Sequence, residues 1–193
     1  MPSRSDDPVA AALGRAAELI CGDVRALAAS NPVVLIDGCS GAGKSSLAAR
    51  VAERWPLAGR VQLIALDSLY PGWDGLDGGV ERALEGILRP HGRGKLGAWQ
   101  RWDWERDTEA ETHAVDPALG MIIEGSGLLT PATAALGDVR VWLEAPEAAR
   151  KHRALMRDGE TYRPHWERWA AQERVHIARD APRALASRIV EIP

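Results

Sequence analysis

The chain has 193 residues, 46% of them hydrophobic and 26% charged, and a formal net charge of -3. That length suits one domain with a proper core, and the balance suits a soluble globular protein rather than a general nucleic-acid or anionic-membrane binder. Cys21 and Cys39 are the two cysteines, which suggests no disulfide framework and a reduced, cytoplasmic compartment.

The first thirty residues mix acids and arginines, so they read as neither a signal peptide nor a membrane span. Leu13, Ala17, Ile20, Val24 and Leu27 recur at helical spacing there, and an N-terminal helix is expected over 1–30. "PVVLID" is a short buried strand. It runs into the glycine-rich "DGCSGAGKSS" (Asp37 to Ser46) and then an Ala-rich helix, "KSSLAARVAERW", ending before Pro56. "RVQLIALD" is a second strand, "GMIIEG" a third and "DVRVWLEA" a fourth. Pro146 suits the first turn of the next helix, over "PEAARKHRALMRD", and "SRIVEIP" closes the chain as a short strand. "PGWDGLDGG" and "RPHGRGKLGAWQRWDWERDTEAETH" read as inserted loops where a second ligand would sit. Strands alternating with helices predict an α/β domain over 1–193, a mainly parallel sheet of about five strands with helices on both faces.

Gly38, Gly43, Lys44 and Ser45 fit the pattern G-x-x-x-x-G-K-[ST] between a strand and a helix, the setting of a phosphate-binding loop (P-loop). From Gly38 through Cys39, Ser40, Gly41, Ala42 and Gly43 to Ser46, small residues let backbone N–H groups face phosphates. Lys44 is expected on the terminal phosphates and Ser45 on Mg²⁺, which makes ATP and Mg²⁺ the expected cofactors. Cys39 reads as a small filler within the loop. Asp67 and Glu124 end two strands, where ligands collect in an open parallel sheet. An acid there takes the acceptor's proton or organises the metal. Arg150, Arg153 and Arg157 fall at i, i+3 and i+7, one cationic helix face able to close over a triphosphate.

Taken together, "DGCSGAGKSS", "LDSLY", "IIEGSGLLT" and "RKHRALMRD" resemble the uridine kinase group of P-loop kinases, related to phosphoribulokinase and bacterial pantothenate kinase. The resemblance runs in order from about Val33 to Arg163 and implies the P-loop NTPase fold. It also implies that Asp67 deprotonates the acceptor hydroxyl and that Glu124 assists Mg²⁺. Arg150, Arg153 and Arg157 would be nucleotide-facing arginines, with Arg163 in a lid over 150–165.

The segment between Asp67 and Glu124 departs from that group; the acceptor is expected in the region 67–112, on Tyr70, Trp73, Asp74, Trp102 and Asp103, with Arg163 of the lid as a further substrate contact. Indole faces stack on planar rings and carboxylates bind hydroxyls. The basic run "RPHGRGK" is either a solvated loop or a seat for an anionic acceptor, and the histidines show no metal-ligand spacing. The expected activity is ATP-dependent phosphorylation of a hydroxyl on a small molecule, nucleoside-like by resemblance. A nucleotide or phospho-metabolite kinase and a non-transferring ATP-binding switch or accessory protein are the alternatives. The expected partner is the small-molecule acceptor, with no nucleic acid and no membrane; a homodimer is left open.

Overall fold

The computed structural model describes residues 7–193, so positions 1–6 of the expected N-terminal helix lie outside the described residues. Helix α1 (Pro8–Ala26) starts where the Asp7 carboxylate accepts the Val9 N–H, with proline at its first position. Strand β1 (Val33–Gly38) follows and is buried along its whole length. Helix α2 (Lys44–Glu53) leaves the glycine-rich turn, and β2 (Val61–Ala65) runs into a single 3₁₀ turn, Leu66–Ser68.

The next segment is more ordered than its composition suggests. Helix α3 (Leu76–Ala83) continues through a π-helical stretch, Leu84–Leu88, into α4 (Arg89–Gly92). Strands β3 (Gly97–Asp103) and β4 (Thr108–Val115) then form an antiparallel hairpin, with a bulge between Gln100 and Trp102. The two stretches expected as loops are therefore corrected to a helical run and a hairpin. β4 sets Glu109, Glu111 and His113 on one side and threonines and alanines on the other, and only its last residue, Val115, is buried, so no apolar–polar alternation marks it as a strand.

Strand β5 (Gly120–Glu124), helix α5 (Pro131–Ala134) and strand β6 (Val139–Glu144) return the chain to the core. Helix α6 (Glu147–Tyr162) is broken at Gly159, whose φ of 58° lies in the left-handed region. A 3₁₀ turn, Arg163–His165, leads to α7 (Trp166–Asp180), then α8 (Pro182–Leu185) and β7 (Arg188–Glu191).

The main sheet has the order β2-β5-β1-β6-β7 with every pairing parallel. β1 lies at its centre, and residue alternation sends its side chains to two separate cores. Val33 and Leu35 join Met121, Ile123, Leu76, Ile87 and Trp166 on one face. Val34 and Ile36 join Ile122, Val141, Leu47 and the buried stripe of α1 on the other. Burial on both faces explains why β1 and β5 read as unbroken apolar runs. Among the described residues no helix is long and apolar enough to cross a membrane.

Helix α1 supplies a whole wall of the second core, and Ile20 at its centre is fully buried. Ile20→Ala is expected to cost about 2–5 kcal/mol of unfolding free energy, the range for opening a cavity under a large aliphatic residue. Urea denaturation followed by far-UV circular dichroism measures it; a loss below about 0.5 kcal/mol would mean that α1 is not part of the cooperative unit.

Candidate active site

The carboxyl ends of β1, β2 and β5 converge on a cavity of about 880 Å³. One wall is the turn between β1 and α2. Gly41 there has φ 77°, and a Cβ at that position would stand 2.1 Å from the Arg150 carbonyl oxygen, so only glycine fits. Gly43, with φ 106°, opens α2, whose first residue is Lys44. The Lys44 ammonium sits 3.3 Å from the Cys39 carbonyl and 3.2 Å from Ser126 Oγ. Ser45 Oγ donates to Glu124 Oε1 at 2.9 Å. These hydroxyl and carboxylate oxygens form the kind of hard pair that Mg²⁺ takes alongside waters and phosphate oxygens.

Burial pushes the Glu124 carboxyl above its ordinary range; the Lys44 charge works against that, and the Asp67 charge adds to it. Asp67 lies in the 3₁₀ turn after β2 and lines the same cavity. The Trp104 indole N–H donates to the Asp67 backbone carbonyl at 2.7 Å, which ties the hairpin to this turn.

The three arginines of α6 divide their work. Arg150 Nη1 donates to the Ser40 carbonyl at 3.1 Å, and Arg153 Nε donates to the Gly41 carbonyl at 2.9 Å. Arg157 lines the cavity and pairs with Asp158 through two hydrogen bonds of 2.8 and 2.6 Å. Those bonds hold its guanidinium pKa above the ordinary value. Arg153 Nη2 and Trp102 Nε1 are buried donors with no partner among the described residues, and both residues line the cavity. Such donors fit a ligand rich in acceptor oxygens.

Another wall of the cavity is aromatic. Trp73 stacks on His165 with ring centroids 4.1 Å apart, on Tyr162 at 5.5 Å, and tilts against Trp104 at 4.9 Å. Trp102 lies under the Arg82 guanidinium, 5.6 Å from its ring centroid. Tyr70 is buried, and its hydroxyl donates to the Ser126 carbonyl at 2.8 Å, so it shapes the wall rather than offering a free polar group. Arg101 also lines the cavity, but its Nε donates to Glu111 Oε1 at 2.7 Å.

Not every residue picked from the sequence reaches the cavity. Asp74 is paired with Arg168 of α7, and Arg163 with Glu160 at 3.0 Å. The Asp103 carboxylate accepts the N–H groups of Glu105 and Arg106 at 3.1 Å and shapes the hairpin turn. None of these three lines the cavity. Each carboxylate or guanidinium has found a nearer partner, which no spacing rule reveals. Ser46, Gly43 and Ser40 do line it, whereas Gly38, Cys39 and Ala42 contribute backbone behind the turn. Burial pushes the Cys39 thiol up to about 12, which makes it an inert filler. The basic run at 89–95 also lies away from the cavity, and within it the buried His91 ring donates to the Leu119 carbonyl at 2.9 Å.

Sequence reading missed a buried polar seam behind the turn. Asp37, at the end of β1, accepts the N–H groups of Gly38 at 2.6 Å, Gly127 at 3.0 Å and Leu129 at 2.7 Å. His176 of α7 stands between two carboxylates, with Nε2 3.1 Å from Asp37 and Nδ1 2.9 Å from Asp180. Asp180 also takes hydrogen bonds from Arg179. The i, i+3, i+7 spacing of Glu173, His176 and Asp180 on one helix was the available signal.

No protein-family model matches the chain, and no curated protein matches it in sequence. Solved structures do. A "possible uridine kinase" from Bacillus stearothermophilus is 20% identical with a TM-score of 0.67, over 92% of this chain and 98% of that one. A "putative fructose transport system kinase" from Silicibacter sp. TM1040 is 20% identical with a TM-score of 0.56, over the same shares of 92% and 98%. At that identity the shared property is the fold.

Burial disfavours the charged His176 ring, but the hydrogen bonds and charges of Asp37 and Asp180 outweigh it and raise its pKa above the ordinary 6.5. A raised folded-state pKa contributes stability that is fully present below 6.5 and is lost as pH rises through the folded value. Urea midpoints taken from pH 5.5 to 9 should therefore fall with rising pH by more in the wild type than in His176→Gln. Parallel curves for the two proteins would show that the ring does not titrate in this way.

Proposed function

We propose that the chain is an ATP-dependent phosphotransferase that moves the γ-phosphoryl group to a hydroxyl of a small, neutral molecule with a planar ring or ring-like face. One observation carries this reading: a carboxylate, Asp67, shares a single cavity with the phosphate-type turn, Lys44 and the Ser45–Glu124 pair. A phosphate-binding turn alone would serve a switch as well as a kinase. A switch that only hydrolyses needs no aromatic chamber beside the turn, and here Trp73, Trp102, Trp104 and Tyr162 form one.

Within this reading Ser45 and Glu124 hold Mg²⁺, which when bound neutralises charge on the phosphates. Lys44 orients the terminal phosphates. Arg157 faces the charge that develops during transfer, and Arg150 and Arg153 act through the turn's backbone. Asp67 receives the acceptor's hydroxyl proton on its carboxylate oxygen. The indoles flank the acceptor's flat face and exclude water, as aromatic walls do in small-molecule sites. A neutral acceptor is favoured over a phosphorylated one because the cavity's Arg101 is already paired with Glu111. A nucleoside is the first candidate, on the chain's resemblance to the uridine kinase group and on the fold shared with a "possible uridine kinase".

Two outcomes test the reading. Asp67→Asn keeps the shape and removes the proton acceptor, so kcat should fall by about 10²-fold or more with ATP affinity nearly unchanged. Near-normal turnover, or ready phosphorylation of nucleoside monophosphates by the wild type, would sink it. Arg157→Ala should lower kcat more than it weakens ATP binding, because its charge is needed most in the transition state. The assay is ADP release across a panel of hydroxyl compounds, with ATP binding followed separately by calorimetry; an unchanged kcat would remove Arg157 from the mechanism.

A further inference from the structure

Glu173 on α7 is a carboxylate with 3% of its surface exposed, 133 residues along the chain from the turn it touches. Its Oε1 accepts the Ser40 N–H at 2.6 Å and lies 2.9 Å from Ser126 Oγ. Its Oε2 stands 3.9 Å from Arg150 Nη1, the same nitrogen that donates to the Ser40 carbonyl. Ser40 is thus gripped at both ends, its N–H by an anion and its C=O by a cation, and those two charges face each other.

Ser126 extends the grip. A hydroxyl has one proton to give. Its shortest contact as a donor is to Glu173, at 2.9 Å, which leaves an oxygen lone pair for the Lys44 ammonium at 3.2 Å. The donor chain therefore runs from Lys44 through Ser126 to Glu173. A buried carboxylate is costly unless every lone pair finds a donor, and an apolar residue at this place on α7 would pack without that cost. All the groups that compensate Glu173 belong to the phosphate-type turn or act on it. Nothing in the two apolar cores needs the charge.

We propose that Glu173 is a positioning residue for nucleotide binding and phosphoryl transfer. It fixes the Ser40 peptide and, through Ser126, the resting place of Lys44, so that the remaining N–H groups of the turn stay directed into the cavity. The transfer half of this statement rests on the proposed phosphotransferase activity; the nucleotide-binding half does not.

The test uses the full chain with Glu173→Ala, Glu173→Gln and Ser126→Ala. ATP dissociation constants come from calorimetry, KM and kcat from ADP release, and melting temperatures from circular dichroism. Glu173→Ala should weaken ATP binding by about tenfold or more, since a hydrogen bond to a charged group is lost from the turn. Glu173→Gln keeps an oxygen for the Ser40 N–H and should recover ATP affinity to within about threefold of wild type. Ser126→Ala should raise KM for ATP or lower kcat by about threefold or more without matching the binding loss of Glu173→Ala. A purely structural role predicts a lower melting temperature with an unchanged ATP dissociation constant below it, and that result overturns the proposal. Equal losses in Glu173→Gln and Glu173→Ala overturn it too. If Glu173→Ala does not fold, wild-type ATP affinity, KM and kcat in Ser126→Ala overturn it. Wild-type protein that binds ATP but transfers to no acceptor, with Glu173→Ala binding tenfold more weakly, removes the transferase reading and leaves the anchoring role standing. Wild-type protein that does not bind ATP removes both.

Discussion

Asp37 is a carboxylate with no solvent around it, and the geometry of the whole site depends on how its two oxygens are satisfied. Oδ1 takes the N–H groups of Gly38 and Gly127, while Oδ2 takes that of Leu129 and the His176 ring. An ionised group in this position needs all of its donors, because each missing one leaves charge without compensation in a medium of low dielectric. Meeting that demand draws three separate segments to one point. These are the start of the phosphate-type turn, the loop after β5 that carries Ser126, and the middle of α7. The central strand thus ends in a polar knot that seats the glycine-rich turn and the loop carrying Ser126 against α7.

The aromatic wall of the cavity depends on a similar convergence of distant segments. Trp73 comes from the segment before α3, Trp104 from the hairpin, and Tyr162 and His165 from the end of α6 and the turn that follows it, yet Tyr162 and His165 stack on Trp73 and Trp104 tilts against it. The Trp104 indole also bonds the backbone of Asp67, so the aromatic wall and the proposed base share one support. Aromatic residues suit this work because they bring a large rigid surface with few torsions to freeze. The other tryptophans act differently. Trp166 is buried in the first core, Trp169 is buried there but also lines the cavity edge-on to Trp73 at 6.5 Å, and Trp99 stacks on His113 at 4.5 Å outside the cavity.

The parallel sheet, its order of elements and the phosphate-type turn were readable from the sequence because their signals are local. Unbroken apolar runs mark β1 and β5, and the glycines of the turn precede a lysine on a helix start. Asp67 and Glu124 were found by the same logic, as acids at strand ends. The helical run from α3 to α4 and the hairpin were read as loops because glycines punctuate the first and the second has no apolar face, β4 alternating threonine and alanine with glutamate and histidine. Asp74 and Asp103 were placed at the acceptor because their types fit the task, and Arg163 in the lid by resemblance, but each is held by an ion pair or backbone contact outside the cavity. Glu173, His176 and Ser126 escaped notice for the opposite reason. Their importance comes from contacts up to 139 residues apart in sequence, and the i, i+3, i+7 spacing of Glu173, His176 and Asp180 marks one helix face without showing what it meets.

The contact between Gly41 and Arg150 has a mechanical consequence. Backbone touches backbone there with no room for a methyl group, and two arginine side chains of α6 bind carbonyls of the turn. The first turns of α6 are therefore one rigid body with the floor of the site and cannot swing away from it as a hinged flap. Any rotation of the cover must be absorbed farther along, and Gly159, with its non-helical φ of 58° and no side chain to obstruct torsion, is where the helix is already interrupted. The segment beyond that break carries Tyr162 and His165 against Trp73. Flexing at that break would shift the aromatic side of the cavity and leave the side built by the glycine-rich turn in place.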